Sequence, residues 1–196
     1  MSSVPTPTSP LPNVRRVVTG HNPSTGQSLI LADTTQPPTF WSPDSVNAKF
    51  DLYYTGSVPA VNDAELNMHI ENKKLKESDE HLKHNGWVDE IAEHPELISP
   101  QGSTFRAFEF APGSVSPMHR TISLDYGIVA KGTIVLEMED GSRVTLTEGD
   151  TLVQRGGMHC WRNETSEWGR MYFVGLGAQP VKVNGQELKE EWRVAK

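Results

Sequence analysis

From Phe105 onward the chain breaks into short β-branched and aromatic segments at close spacing, each ended by a turn signal. That rhythm admits little besides an antiparallel all-β fold. The segments are Phe105 to Phe110, Ile122 to Val129, Thr133 to Met138, Val144 to Leu146, Thr151 to Gln154 and Arg170 to Val174. Asp140-Gly141 predicts a hairpin with a type I′ turn, because both residues tolerate positive φ, and Gly149-Asp150 marks the next corner. Upstream, Asn13 to Val18 and Gln27 to Ala32 read as two paired strands about a Gly-His-Asn-Pro-Ser-Thr-Gly turn, with Phe50 to Tyr54 as a third strand.

Two stretches read differently. Residues 62 to 94 turn charged and helix-favouring, which predicts an exposed helical insertion. Its histidines, His69, His81, His84 and His94, have no ligand spacing that aligns them with a carboxylate and read as solvated polar residues. From Gln179 the tail offers a short strand at Val181 to Val183 and then a helix ending near Trp192. The division expected is a Pro-rich disordered tail over 1–12, strands and helical insertion over 13–100, a barrel core over 101–178 and an extension over 179–196.

Charge and cysteine content narrow the function. The net charge is −7, and ten Asp or Glu against four Lys between Asn62 and Pro100 account for most of it. No basic cluster suited to nucleic acid occurs, no apolar run approaches the roughly 20 residues of a membrane span, and the first residues lack the pattern of a secretory signal. Cys160 is the single cysteine, so no internal disulfide forms. The expectation is a cytoplasmic protein with a small-molecule substrate, and neither a nucleic-acid nor a membrane partner.

The chemistry concentrates in Gly113 to Gly132 and Gly149 to Asn163. His119, Thr121, Ser123 and Asp125 share strand parity and can present one polar face. The opposite parity carries Ile122, Leu124, Tyr126 and Ile128, as packing against a second sheet requires.

These stretches resemble the two motifs of the cupin superfamily. The first motif places a glycine ahead of a His-x-His pair, a Glu and a closing glycine, and Gly113, His119, Asp125 and Gly132 occupy matching positions. Gly149, Gly157, His159 and Asn163 match the second, with Gly157 and His159 one residue closer than usual. Thr121 stands in place of the second histidine, Asp125 in place of Glu, and Arg155 in place of a proline. The variant is similar to small cupins, many of them fungal, some encoded near specialised-metabolite pathways. The resemblance implies a single jelly-roll antiparallel β-barrel and a homodimer in which strands such as Val14 to Val18 pair with a partner barrel.

Two imidazoles and a carboxylate, His119, Asp125 and His159, make a three-ligand set suited to Fe, Mn, Ni or Zn with open coordination positions. The alternatives are a metal-free hydrogen-bonded set moving protons, and a pocket that has lost turnover. Thr121 and Ser123 offer hydroxyls toward substrate, Arg155 a planar fork for a carboxylate or enolate, and Trp161, of the same strand parity as His159, a wall for an aromatic substrate. The chemistry expected is metal-assisted enolate formation leading to decarboxylation, dehydration or isomerisation of an oxygenated polyketide or aromatic acid. Iron-dependent oxidation and non-catalytic ligand binding stand as alternatives.

Overall fold

The computed structural model describes residues 9–22, 24–62, 83–84 and 87–193. The strands in chain order are β1 (Val14–His21), β2 (Ser28–Gln36), β3 (Thr39–Phe40), β4 (Ala48–Thr55), β5 (Lys83–His84), β6 (Trp87–Val88), β7 (Ser103–Phe110), β8 (Met118–Arg120) and β9 (Ser123–Lys131). They continue as β10 (Thr133–Met138), β11 (Arg143–Thr147), β12 (Thr151–Arg155), β13 (His159–Arg162), β14 (Gly169–Gly177), β15 (Lys182–Val183), β16 (Gln186–Glu187) and β17 (Glu191–Arg193). Two antiparallel sheets carry the fold, one ordered β11-β10-β13-β8-β17 and the other β12-β9-β14-β7-β4-β3. The expected barrel is therefore two separate sheets rather than a closed ring.

Apolar residues of one parity meet between the sheets. Phe110, Val129 and Met171 from the six-stranded sheet pack with Ile134, Leu136, Leu146 and Trp161 from the five-stranded one. Ile134 and Met171 are wholly buried, and each such side chain stabilises the fold by about 1.5–3 kcal/mol. A second cluster, Val14, Ala48, Phe50, Leu52 and Ala107, forms where β1 covers part of the outer face of the six-stranded sheet. The rest of that face is open: Tyr126, Ile128 and Val153 are about half exposed, so the second parity of β9 does not pack against another sheet as expected.

Several local expectations change for identifiable reasons. The Asp140-Gly141 hairpin forms, but only Gly141 takes positive φ, and Gly141 N–H donates to the Met138 carbonyl. This is a type I turn followed by a left-handed glycine, held by Asp140 accepting from the Ser142 amide and hydroxyl. Among the described residues the tail forms no helix. Asn184 and Gly185 both have positive φ and close a two-residue hairpin between β15 and β16, and the chain then adds to a sheet edge as β17. That Asn-Gly signal outranks the helix-favouring residues after it.

The helical insertion expected over residues 62–94 falls largely on 63–82, outside the described residues, as do His69 and His81. The described part holds β5, β6 and a one-turn 3-10 helix, Glu90–Glu93, capped by Asp89. His94 is structural: it stacks on Tyr54 and its Nδ1 lies 2.7 Å from Glu96 Oε1. Nor is the Pro-rich segment wholly detached, because the Pro12 carbonyl accepts a 2.6 Å hydrogen bond from the buried Arg170 guanidinium.

Candidate active site between the two sheets

A cavity of about 500 Å³ lies between the sheets beside the apolar core, sharing Phe110, Trp161 and Phe173 with it. Its polar floor comes from two facing strand pairs. His119 on β8 and His159 on β13 are register partners in the five-stranded sheet, with ring centroids 4.3 Å apart. Asp125 on β9 and Gln154 on β12 are register partners in the six-stranded sheet. His119 and Asp125 thus belong to opposite sheets, and the single strand that their shared parity suggested is broken. The chain crosses between the sheets at Thr121 and Ile122, so both side chains face inward for a reason parity did not contain.

Each polar group is held in a defined orientation. The Pro117 carbonyl, 2.9 Å from His119 Nδ1, can only accept, so Nδ1 carries the proton and Nε2 is the basic nitrogen of the neutral ring. His159 Nδ1 lies 2.9 Å from both the Gly157 carbonyl and Gln154 Nε2, and Gln154 Nε2 also donates to that carbonyl, which locks the second ring. Burial holds both imidazoles below their ordinary range. For His159, burial and then the charge of His119 push the value down to about 4.

Asp125 is displaced the other way. Burial pushes it up to about 6, against the opposing pull of the Ser123 hydroxyl. Ser123 Oγ donates to Asp125 Oδ2 at 2.9 Å, so its partner at 2.8 Å, Thr121, donates to Ser123 in turn. Asp125 Oδ1 is left to hold a proton. Gly175 makes room for it: a Cβ there would stand 2.9 Å from Asp125 Oδ1 and 2.6 Å from Ile98 Cδ1.

The walls and mouth are apolar and aromatic. Trp161 meets His159 edge to face at 5.5 Å, combining the core and wall roles. Trp192 pairs with His119 across β17 and β8 and stacks on its ring at 4.5 Å, while remaining 48% exposed. Trp41, half exposed, stacks on Phe108 at the mouth. Arg106 fixes the wall segment of Leu97 and Ile98: its buried guanidinium pairs with Asp51 at 2.7 Å and donates to the carbonyls of His94, Glu96 and Leu97.

Of the residues singled out in the sequence, His119, Thr121, Asp125, His159 and Trp161 line this cavity, and Ser123 stands behind it in the hydroxyl chain. Arg155 does not line it. It is exposed on β12 with parity opposite to Gln154, and it faces a separate groove. The three-ligand metal set is not assembled either. Among the described residues, no three His, Cys, Asp or Glu side chains converge closely enough to hold an ion, and Asp125 is engaged with Ser123 on its own strand.

Gln154, Trp192 and Arg106 are the site residues that sequence reasoning passed over. Gln154 had a usable signal, its parity with the inward positions of β12. Trp192 and Arg106 act through tertiary contacts with no local signature.

The comparisons with known proteins agree with this architecture. Residues 106–175 match the cupin domain family. The chain is 34% identical over 189 residues to "Oryzines biosynthesis cluster protein J" of Aspergillus oryzae, covering 94% of each protein. It is 32% identical over 189 residues to "Cupin-domain-containing oxidoreductase virC" of Hypocrea virens, covering 93% of this chain and 87% of that protein. Over 95 residues it is 45% identical to "Phomopsin biosynthesis cluster protein D" of Diaporthe leptostromiformis, covering 48% of this chain and 50% of that protein. With near full-length relatives from fungal biosynthesis clusters and the inward histidines on the strands their motifs require, this chain belongs to the cupin family.

Proposed function

We propose that the cavity is the active site of a cupin enzyme that moves a proton on a carbonyl-containing, largely apolar and planar metabolite. One observation carries the reading: an open-mouthed, largely apolar cavity of about 500 Å³ whose floor opposes an oriented histidine pair to a carboxyl raised to about 6. A cavity of this size suits a drug-sized ligand. Its exposed rim residues, Trp41 and Trp192, offer flat faces on which an aromatic body can stack.

The roles follow from donor capacity. With Nδ1–H committed to Pro117, neutral His119 can only accept at Nε2 and acts as the base toward a carbon-bound proton. Asp125, held in its acid form up to about pH 6, donates from Oδ1 to the carbonyl oxygen as negative charge develops there. The resulting enol is common to isomerisation and dehydration. Among the described residues the donor set does not converge on a three-ligand site, so the roles are assigned to the side chains themselves. A second reading, oxidation, is favoured by the naming of the virC relative as an oxidoreductase.

The test uses 2-tetralone, a ketone whose ring is fused to a flat arene and whose benzylic C–H bonds are acidic, in D₂O. The wild-type protein is expected to speed deuterium incorporation next to the carbonyl, and Asp125→Asn to lose a factor of about 10² or more. Exchange no faster than buffer, or equal rates in the two proteins, refutes the assignment. Product lighter by two hydrogens would favour oxidation, and saturable binding without exchange a ligand-binding role.

A further inference from the structure

The groove that receives Arg155 is distinct from the cavity. It encloses about 270 Å³ and is lined by Arg120, Arg155, Gly156 and the apolar side chains Ile122, Val181 and Leu188. It shares with the cavity only Thr121.

Its two guanidiniums are under-used. Arg120 is 9% exposed, yet its buried Nε–H has no hydrogen-bond partner. The rest of that group makes only loose contacts, Nη1 to the Lys189 carbonyl at 3.4 Å and to Glu191 Oε2 at 3.6 Å. Arg155 has no ion pair or side-chain hydrogen bond among the described residues. An unpaired buried donor costs about 1–3 kcal/mol, and a cation nine-tenths buried normally carries well-formed partners. Glu191 is shared: its Oε1 accepts from Arg193 at 2.6 Å, and only Oε2 faces Arg120, at 3.6 Å.

We infer that this groove binds the carboxylate of a small organic acid whose apolar body lies along Ile122, Val181 and Leu188. Two planar forks in one concavity match the two oxygens of a carboxylate, which accept paired N–H bonds. Gly156, at φ +64°, turns the chain directly after Arg155 without a side chain intruding on the groove. The apolar lining selects against bare inorganic anions. The inference is independent of the chemistry assigned to the cavity.

Benzoate is the probe, with benzamide as its neutral isostere. In ¹H–¹⁵N spectra of the full chain, benzoate is expected to shift the Gly156 amide and the Arg120 and Arg155 Nε–H signals saturably. Benzamide at equal concentration leaves them in place. Arg155→Gln, an exposed position that the fold does not depend on, should weaken benzoate about tenfold, as loss of one charged partner predicts. Arg120→Gln should do the same if it folds, and the Arg155 variant decides the matter if it does not. Shifts confined to His119 and His159, equal affinity in Arg155→Gln, or inorganic phosphate matching benzoate would each overturn the assignment.

Discussion

Replacing Asp125 by Asn should make the protein more stable at pH 8 and leave it nearly unchanged at pH 4. The buried carboxyl is raised from 3.8 to about 6, chiefly by loss of water and despite the Ser123 hydrogen bond. The folded chain therefore holds this proton more tightly than the unfolded chain does. Below pH 4 both states are largely protonated and the group costs little. Between pH 4 and 6 the unfolded chain has released its proton while the folded chain keeps it, so stability falls as pH rises. Above 6 the cost is complete. At 1.36 kcal/mol per pH unit, the displacement amounts to about 3 kcal/mol at pH 8 and about 0.5 kcal/mol at pH 4. The 9% exposure of Asp125 leaves little room for solvent screening. Asparagine keeps the shape and an acceptor for Ser123 but never ionises. For a chain of this length, about 2–4 °C of melting temperature accompanies each kcal/mol. Thermal denaturation followed by circular dichroism should show Asp125→Asn melting about 6–12 °C above wild type at pH 8, with the gap closing toward pH 4. A gap equal at both pH values, or a variant less stable at pH 8, refutes the claim that Asp125 is a strained, proton-holding carboxyl.

Three further outcomes follow. Gly175→Ala places a Cβ 2.9 Å from Asp125 Oδ1 and 2.6 Å from Ile98 Cδ1, so it should cost about 1–3 kcal/mol in chemical denaturation and depress tetralone exchange; wild-type values for both contradict the packing argument. Adding Fe(II), Mn(II), Ni(II) or Zn(II) to metal-stripped protein should change the exchange rate by less than about twofold; a stoichiometric ion that raises it more than about tenfold would show that the three ligands converge when loaded. Sedimentation should report the dimer expected of a cupin, and Ile128→Asp with Val153→Asp, both on the open sheet face, should leave a monomer; an unchanged mass rules out that face.

Much of the fold was legible because period-two apolar patterning and turn residues are local signals. Thr133 to Met138 matches a strand end for end, and β1, β2, β4 and β7 fall within a few residues of their expected places. The motif histidines and Asp125 were legible as inward-facing polar residues, though parity alone could not show that the chain changes sheets at Thr121. Arg155 was misplaced because alternation was not carried through: its neighbour Gln154 takes the inward position. The contacts of Trp192 with His119 and of Arg106 with three carbonyls arise only when distant segments meet, and neither leaves a trace in local sequence. The tail was read as helix on composition, and Asn184-Gly185 was the stronger signal.

The central claim, that Asp125 gives a proton while His119 accepts one, is tested most directly by the pH dependence of tetralone exchange. Asp125 must be protonated and His119 neutral, so kcat/KM should fall about tenfold per pH unit above about 6. It should also fall at low pH, below the depressed range of His119. A rate that instead rises through pH 6 to a plateau would reverse the roles, making Asp125 the base, and would contradict the mechanism.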